Sequence, residues 1–173
     1  LGFTGSGVNE VPANAVFLNM TGNLISSTDS NDVGVLYALA TDSIYMNLTR
    51  NEISLPNMKY GLHIGRVIDT LNMHPATRMM DFRMWSNNIS LAGGGVLTLC
   101  ALENLTATLV GNHIFHPTKA IECGAVSIGW FTSELFDSTP ENLTLVMKRN
   151  TIEDIADSGS IGIKAIYNIW ADI

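Results

Sequence analysis

The sequence predicts an all-β fold, a right-handed parallel β-helix (β-solenoid) of about five coils, and three observations lead to it. One pattern recurs five times along the 173 residues. Within each copy, apolar and polar residues alternate with the period of a half-buried strand. The chain is also 46% hydrophobic and only 14% charged, which suits a solenoid whose coils bury their inner faces against one another.

The recurring pattern is centred on one asparagine per copy. The copies are AVFLNMTGNLI, SIYMNLTRNEI, MMDFRMWSNNI, NLTATLVGNHI and NLTLVMKRNTI, and they align on Asn23, Asn51, Asn87, Asn112 and Asn150. In every copy the positions seven, five and three before the asparagine, and two after it, are apolar. We expect these positions to face the interior and the residues between them to face outward.

Each of these asparagines is predicted to occupy a sharp bend. A chain that turns a corner needs a residue with positive φ, a conformation that Asn and Gly tolerate and β-branched residues do not. Asparagines at the same bend of successive coils can also stack their side-chain amides. The sequence therefore predicts an Asn ladder along one corner of the solenoid.

A second strand is predicted after each asparagine. The candidates are GVLYAL, GLHIG, GVLTL, GAVSIG and GSIGIKA, and each begins with a glycine that suits a turn. The asparagines are 28, 36, 25 and 38 residues apart, which argues against the strictly regular hexapeptide and calcium-binding nonapeptide solenoids. We expect residues 1–14 to form an N-terminal arm or partial first rung, and residues 15–173 to form the β-helix domain.

This pattern resembles the right-handed parallel β-helix superfamily, which includes pectate lyases, tailspikes and many surface adhesins. The resemblance covers about residues 15 to 170. It implies the fold more than the function, because function in this superfamily resides in sites added to a common scaffold. Resemblance to its catalytic members, the pectate lyase-like and polygalacturonase-like enzymes, would imply a carboxylate cluster together with a basic residue.

Such a cluster is missing from the predicted outward face. Asp81 has Arg83 beside it, but no second carboxylate occupies its column in a neighbouring coil, and glycoside hydrolysis needs paired carboxylates. The other acidic residues fall mostly in loops and bends, where they form a solvated face or a weak Ca²⁺ site. His113 and His116 have the spacing of two zinc ligands but no further ligand close in sequence. We therefore expect a non-catalytic member with no cofactor and no metal.

Charge and hydropathy exclude two classes of partner. The net charge is −7 and no basic patch is present, so we expect no nucleic acid. No apolar run reaches membrane-spanning length, so we expect no segment that crosses a membrane. The expected partners are other copies of the chain, with carbohydrate as a further candidate.

Five N-x-S/T sequons lie at predicted outward positions. They begin at Asn19, Asn47, Asn88, Asn104 and Asn142, and they are candidate N-glycosylation sites if the source glycosylates exported proteins. The alternative is that Asn and Thr are simply common on the outer face of a β-helix.

The two cysteines, Cys100 and Cys123, are predicted to point outward from adjacent coils. Their offset of roughly 20 Å along the strands is too large for a disulfide within one chain. They are expected to be reduced thiols or, alternatively, to form disulfides between chains.

Two functions follow from these features. The first is an extracellular or cell-surface structural or adhesive β-solenoid that self-assembles through its coil ends into a ring, sheath or filament. Residues 161–170 contain one Lys and no Pro, so the last coil lacks the usual protection of an edge strand. We expect the first coil or arm of one copy to pack on this coil of the next. The alternative is a polysaccharide-binding or polysaccharide-degrading β-helix, with Phe17, Tyr45 and Trp85 as outward aromatic residues.

Overall fold

The computed structural model describes residues 13–26, 36–38, 40–55, 62–65, 77–91, 96–116, 126–129, 140–154 and 161–173. Within these ranges the chain forms strands and no helix. The strands are β1 (Ala15–Thr21), β2 (Leu24–Ser26), β3 (Leu36–Ala38), β4 (Ser43–Thr49), β5 (Glu52–Leu55), β6 (Leu62–Ile64), β7 (Met79–Trp85), β8 (Asn88–Leu91), β9 (Leu97–Leu99), β10 (Asn104–Val110), β11 (His113–His116), β12 (Val126–Ile128), β13 (Asn142–Lys148), β14 (Thr151–Asp154), β15 (Ile161–Ile163) and β16 (Asn168–Asp172).

The strands form three parallel sheets that the chain visits in turn. Sheet A has the order β1-β4-β7-β10-β13-β16, sheet B the order β2-β5-β8-β11-β14, and sheet C the order β3-β6-β9-β12-β15. Every strand therefore pairs with the strand three places along the chain, as in a β-solenoid. The prediction of two strands per coil was wrong. Sheet B was missed because its strands begin directly after the asparagine, within the aligned repeat, and no leading glycine marks them as separate strands.

The register of sheet A follows the alignment of the five repeats. Leu18 pairs with Met46, Met46 with Phe82, Phe82 with Ala107 and Ala107 with Leu145. This confirms that the repeats stack as parallel strands, because equivalent positions of the sequence pattern are neighbours in space. The sixth strand, β16, continues the same register and places Trp170 beside Thr144 in β13.

The predicted inward positions form the core. In the middle coils they are fully or almost fully buried, and this set comprises Ile44, Met46, Leu48, Ile53, Met80, Phe82, Met84, Ile89, Leu105, Ala107, Leu109 and Ile114. In the outermost strands the corresponding residues are only partly buried, among them Val16, Met20 and Ile152. The burial falls off at both ends because each end strand has a neighbour on one side only.

The bend between sheets A and B does not use the asparagine as predicted. The residue before each asparagine has positive φ instead, and these residues are Gly22, Arg50, Ser86, Gly111 and Arg149, with φ between 54° and 65°. The prediction that the asparagine itself adopts this conformation was wrong. The asparagine has a different reason to be there, because its side chain makes hydrogen bonds that only an amide can make.

Those hydrogen bonds connect the five aligned asparagines. The Nδ2 atom of each of the first four donates to Oδ1 of the asparagine in the following coil, always at 2.9 Å. The same Oδ1 atoms accept the backbone N–H of the preceding asparagine at 2.9–3.0 Å. Asn51, Asn87 and Asn112 are buried, so these bonds satisfy polar groups that water does not reach.

Two glycines in sheet C allow the backbones of neighbouring coils to approach closely. Gly65 has a φ of 92°, and a Cβ atom at this position would lie 1.8 Å from the carbonyl oxygen of Cys100. Gly129 has a φ of 73°, and a Cβ atom there would lie 2.1 Å from the carbonyl oxygen of Lys164. Both glycines follow a strand directly. The glycines predicted to lead these strands lie outside the described residues.

Candidate functional site

The outer face of sheet A is the broadest regular surface that the described residues form. Five of its six strands are seven residues long, and their outward side chains stand in columns along the stack. Phe17 and Tyr45 share one column, as predicted, and their rings stack at 5.0 Å between centroids with an interplanar angle of 5°. Phe17 remains 74% exposed. The ring face of Phe17 that is turned away from Tyr45 is therefore open.

The next residue in this column is Asp81, and it is bound by Arg83 on the same strand. Both carboxylate oxygens accept hydrogen bonds from the guanidinium, from Nε at 3.0 Å and from Nη2 at 2.8 Å. The hydrogen bonds to Asp81 raise the pKa of Arg83. Tyr45 and Thr106 flank Asp81 on the two neighbouring strands. Among the described residues, this column therefore offers one neutralised carboxylate and not the pair that glycoside hydrolysis requires.

Trp85 lies at the end of β7, four residues further along the same strand. It is 44% exposed, and its register partners are Thr49 and Val110. At about 3.3 Å per residue, its Cα lies about 13 Å from the Asp81 column. The three outward aromatic residues therefore form a stacked pair and a separate indole.

A second charged group lies where the chain enters sheet A. Arg78 donates to both carboxylate oxygens of Glu103, at 2.8 and 3.1 Å, and its Nη1 lies 3.2 Å from Oδ1 of Asp42. The hydrogen bond from Arg78 lowers the pKa of Glu103, and the same bond raises the pKa of Arg78. This cluster connects three successive coils. Sequence reasoning missed it because its members lie 36 and 25 residues apart in strand-preceding segments whose register was not predicted.

The histidine pair does not form a metal site in the described part of the chain. His113 contacts Asn88 through Nδ1 at 3.1 Å and Glu153 through Nε2 at 3.2 Å. His116 is at the end of the same strand, β11. No group of three or more His, Cys, Asp or Glu side chains suited to a metal ion occurs among the described residues.

The five sequon asparagines lie on the outer surface, as the pattern predicts. Asn19, Asn88 and Asn104 are exposed, whereas Asn47 and Asn142 are half-buried. Four of them are paired across coils: Nδ2 of Asn47 donates to Asn19 at 3.3 Å, and Nδ2 of Asn142 donates to Asn104 at 3.2 Å. The amide nitrogen of two sequons is thus already a hydrogen-bond donor within the fold. Glycosylation at any of them stays a prediction.

Two residues at sheet C differ from the sequence-based expectation of exposure. Cys100 was predicted to point outward but is fully buried. His63 was expected to be an ordinary surface histidine, yet burial lowers its pKa to about 4, against the opposing effect of a hydrogen bond with the backbone of Gly65. The outward positions Thr98 and Ser127 are buried as well. Alternation gives the direction of a side chain, but on this sheet an outward direction does not mean exposure.

The burial of Cys100 bears on the predicted disulfides between chains. A thiol with no exposed surface cannot reach a cysteine of another chain unless the coil opens. Cys123 lies outside the described residues. Disulfide formation through Cys123 stays a prediction.

The strongest apolar exposure lies at the two ends of the stack. Around β16 the exposed side chains are Ile166 at 57%, Tyr167 at 73%, Ile169 at 53%, Trp170 at 58% and Ile173 at 77%. At the opposite end, Phe17 is 74% and Leu24 is 71% exposed. These two surfaces are called the β16 end and the β1 end below.

Comparison with known proteins gives no relative for this chain. No protein-family model matches it, and searches of curated proteins and of solved structures also find no match. In the part of the chain that the structure describes, no helix is long and apolar enough to cross a membrane.

Proposed function

We propose that this chain is a structural building block at a cell surface or outside the cell, and that its copies join through their coil ends into a ring, sheath or filament. The observation that carries the proposal is the β16 end. Sheet A extends one strand beyond sheets B and C, and that strand exposes large apolar side chains, including Ile169 and Trp170. Exposed apolar surface at an unpaired sheet edge favours association with a further strand.

The proposal includes a finer description of the fold. The chain is taken as a right-handed parallel β-helix of about five coils, a non-catalytic relative of the pectate lyase, tailspike and adhesin scaffold. Parallel strands joined by a crossover are right-handed in about 98% of cases, which supports the handedness. The hydrogen-bonded asparagines then form a ladder that fixes the axial register of the coils.

The chemistry of the described surface supports a structural role over catalysis. Asp81 is neutralised by Arg83, and Glu103 by Arg78. The five sequons and the low content of Lys and Arg suit an exported protein, and they motivate the proposed extracellular or surface location. We expect no product release from uronate or neutral polysaccharides, with or without Ca²⁺. Product release that disappears in Asp81→Asn would contradict this expectation.

The assembly proposal is tested by sedimentation and negative-stain microscopy of the whole chain. Ile169→Lys combined with Trp170→Lys places two charges on the β16 end, where both side chains are exposed and the fold should tolerate them. A matched control, Trp85→Lys combined with Asn104→Lys, places the same charges on exposed positions of β7 and β10, the two central strands of sheet A. We expect the parent and the control to form large species and the end variant to remain monomeric.

Two outcomes would contradict the proposal. One is a parent protein that sediments as a monomer up to its solubility limit. The other is an equal loss of assembly in the end variant and the control, because the contact would then lie on the outer face and not at the coil end.

Carbohydrate binding is the second candidate, and the outward aromatic residues favour it. The open face of Phe17 and the half-exposed Trp85 are both suited to stacking on a sugar ring. Titration calorimetry with oligosaccharides would test this role. Binding that is lost in Trp85→Ala, with assembly unchanged, would favour carbohydrate recognition over a purely structural role.

A further inference from the structure

The two ends of sheet A carry matching columns of side chains. Each position of β1 is connected to a position of β16 through the registered pairs of the four strands between them. Phe17 and Trp170 end the same outward column, and Val16 and Ile169 end the same inward column. The inward and outward positions of β16 therefore match those of β1, residue by residue, at the opposite end of sheet A.

We infer that β16 of one copy pairs in parallel with β1 of the next copy, in the register that already runs through sheet A. This inference rests on the proposed function, and it names the contact surface and its alignment. In this register the Trp170 ring lies over the open face of Phe17 and extends the Phe17–Tyr45 stack by one ring across the junction. Both aromatic side chains are more than half exposed in the single copy and become covered.

The inward columns support the same register between β16 and β1. Ile169 would lie beside Val16 and Ala171 beside Leu18, continuing columns that are fully or almost fully buried in the middle of the stack. Shifting the register by one residue would turn Trp170 and Asp172 toward the interior. The registered alignment, unlike a shift by one residue, keeps inward apolar residues beside inward apolar residues, and it also places Trp170 directly on Phe17.

Charge does not oppose this contact. The outward residues of β1 are Ala15, Phe17, Asn19 and Thr21, all uncharged. The single acidic residue of β16, Asp172, is already paired with Lys148 and would face Asn19 across the junction. The net charge of −7 still makes two copies repel at a distance, so added salt should promote the assembly.

Sheets B and C end one strand earlier than sheet A. When β16 and β1 pair, β14 and β2 are separated by about 10 Å, twice the usual strand spacing, which leaves room for one layer. The arm of residues 1–14 is expected from the sequence to reach a neighbouring copy, but residues 1–12 lie outside the described part of the chain.

Engineered disulfides test the register directly. In a Cys123→Ser background, Asn19→Cys and Asp172→Cys place two outward thiols at positions that pair across the proposed junction. Registered parallel partners have Cα atoms about 5 Å apart, within the range for a disulfide. Within one copy these positions are five strand spacings apart, about 24 Å, so any bridge between them must join two copies.

The matched control replaces Asn19→Cys with Thr21→Cys and keeps Asp172→Cys. Its two positions are offset by two residues, and their Cα atoms would be about 8 Å apart, beyond disulfide range. Under mild oxidation we expect a reducible ladder of covalent oligomers on denaturing gels from the registered pair, and at least a fivefold lower yield from the control.

The outcomes separate the register from the assembly itself. If the parent assembles but the registered pair does not exceed the control, the inferred register is wrong and end-to-end assembly survives. If the parent is monomeric and neither pair cross-links, both the register and the proposed function are wrong.

Discussion

Replacing Asn87 with alanine removes the centre of the hydrogen-bonded asparagine series. Its Oδ1 accepts the backbone N–H and the Nδ2 group of Asn51, both at 2.9 Å. Its Nδ2 donates to Asn112 at 2.9 Å and to the carbonyl oxygen of Leu48 at 2.8 Å. A third and longer contact of Nδ2, to the carbonyl oxygen of Trp85 at 3.1 Å, shares one of its two hydrogens. The other four bonds, at about 1 kcal/mol each, give a loss of about 4 kcal/mol in the free energy of unfolding, and the buried N–H left without an acceptor adds to it.

The matched control is Asn23→Ala. Asn23 is exposed, and its side chain donates one hydrogen bond, from Nδ2 to Asn51. We expect this variant to lose about 1 kcal/mol. For a domain of this size each kcal/mol lowers Tm by about 2–4 °C, so the expected shifts are about 8–16 °C for Asn87→Ala and 2–4 °C for Asn23→Ala. Amide hydrogen exchange at Asn51 should report the same difference locally.

A third variant, Asn87→Asp, tests whether the donor matters. It keeps the acceptor oxygen but directs a negative charge at two acceptors, which raises the pKa of the introduced carboxyl in the folded state. The destabilisation is then fully present above that raised pKa and diminishes as the pH falls toward the unfolded value. Equal shifts for the two alanine variants, or an Asn87→Asp variant whose stability falls with pH like that of the parent, would refute this account.

Three further predictions follow from burial, backbone conformation and charge. Leu145→Asp buries an unpaired charge and should lower the free energy of unfolding in urea by about 4 kcal/mol or more. Thr144→Asp, on the adjacent exposed position, should change it by less than about 0.5 kcal/mol. Similar urea midpoints for the two variants would mean that the inward and outward faces are misassigned. Gly65→Ala should abolish folding of its coil, since the added carbon would overlap the carbonyl oxygen of Cys100. Gly22→Ala has open space around it and should lower the free energy of unfolding by about 1–2 kcal/mol. A Gly65→Ala protein with the far-UV circular dichroism and Tm of the parent would contradict the close approach of Gly65 to Cys100. Because an arginine lowers the pKa of Glu103, this carboxylate stabilises the fold above its unfolded value of 4.5 and loses that effect as the pH falls through its lower folded value. The stability difference between the parent and Glu103→Gln should therefore be larger at pH 7 than under acid conditions, and a difference that does not change with pH would rule the ion pair out as its cause.

The sequence predicts sheet A well because its strands are long and one face is buried. Seven residues give three full alternations, so the inward columns, the pairing register and the stack of Phe17 on Tyr45 could all be inferred. The Asn positions were also found, although the residue with positive φ is the one before each of them. Arg50 and Arg149 adopt that conformation without being Gly or Asn, so composition could not have shown it.

The rest was not predictable, for identifiable physical reasons. The strands of sheet B begin directly after each asparagine, so they looked like the end of the preceding repeat. Alternation predicts the direction of a side chain but not its burial, so Cys100 and His63 were expected to be exposed, whereas Cys100 is fully buried and burial lowers the pKa of His63. The Arg78 cluster depends on which coils are adjacent at the entry to sheet A. Such long-range placements follow from the packed structure and leave no local pattern in the sequence.

The hydrogen bonds between asparagine side chains all run in one direction along the stack, and this gives the molecule an electrical polarity. In each of these bonds Nδ2 donates to Oδ1 of the asparagine in the following coil, so the side-chain amide dipoles align head to tail, while a second Nδ2 bond reaches a backbone carbonyl of the preceding coil. Aligned amides polarise one another, which strengthens each added bond. A growing assembly that continued this series would therefore be vectorial, since two copies meeting by identical ends would oppose their dipoles. Its two tips would differ chemically, and one should add copies faster than the other.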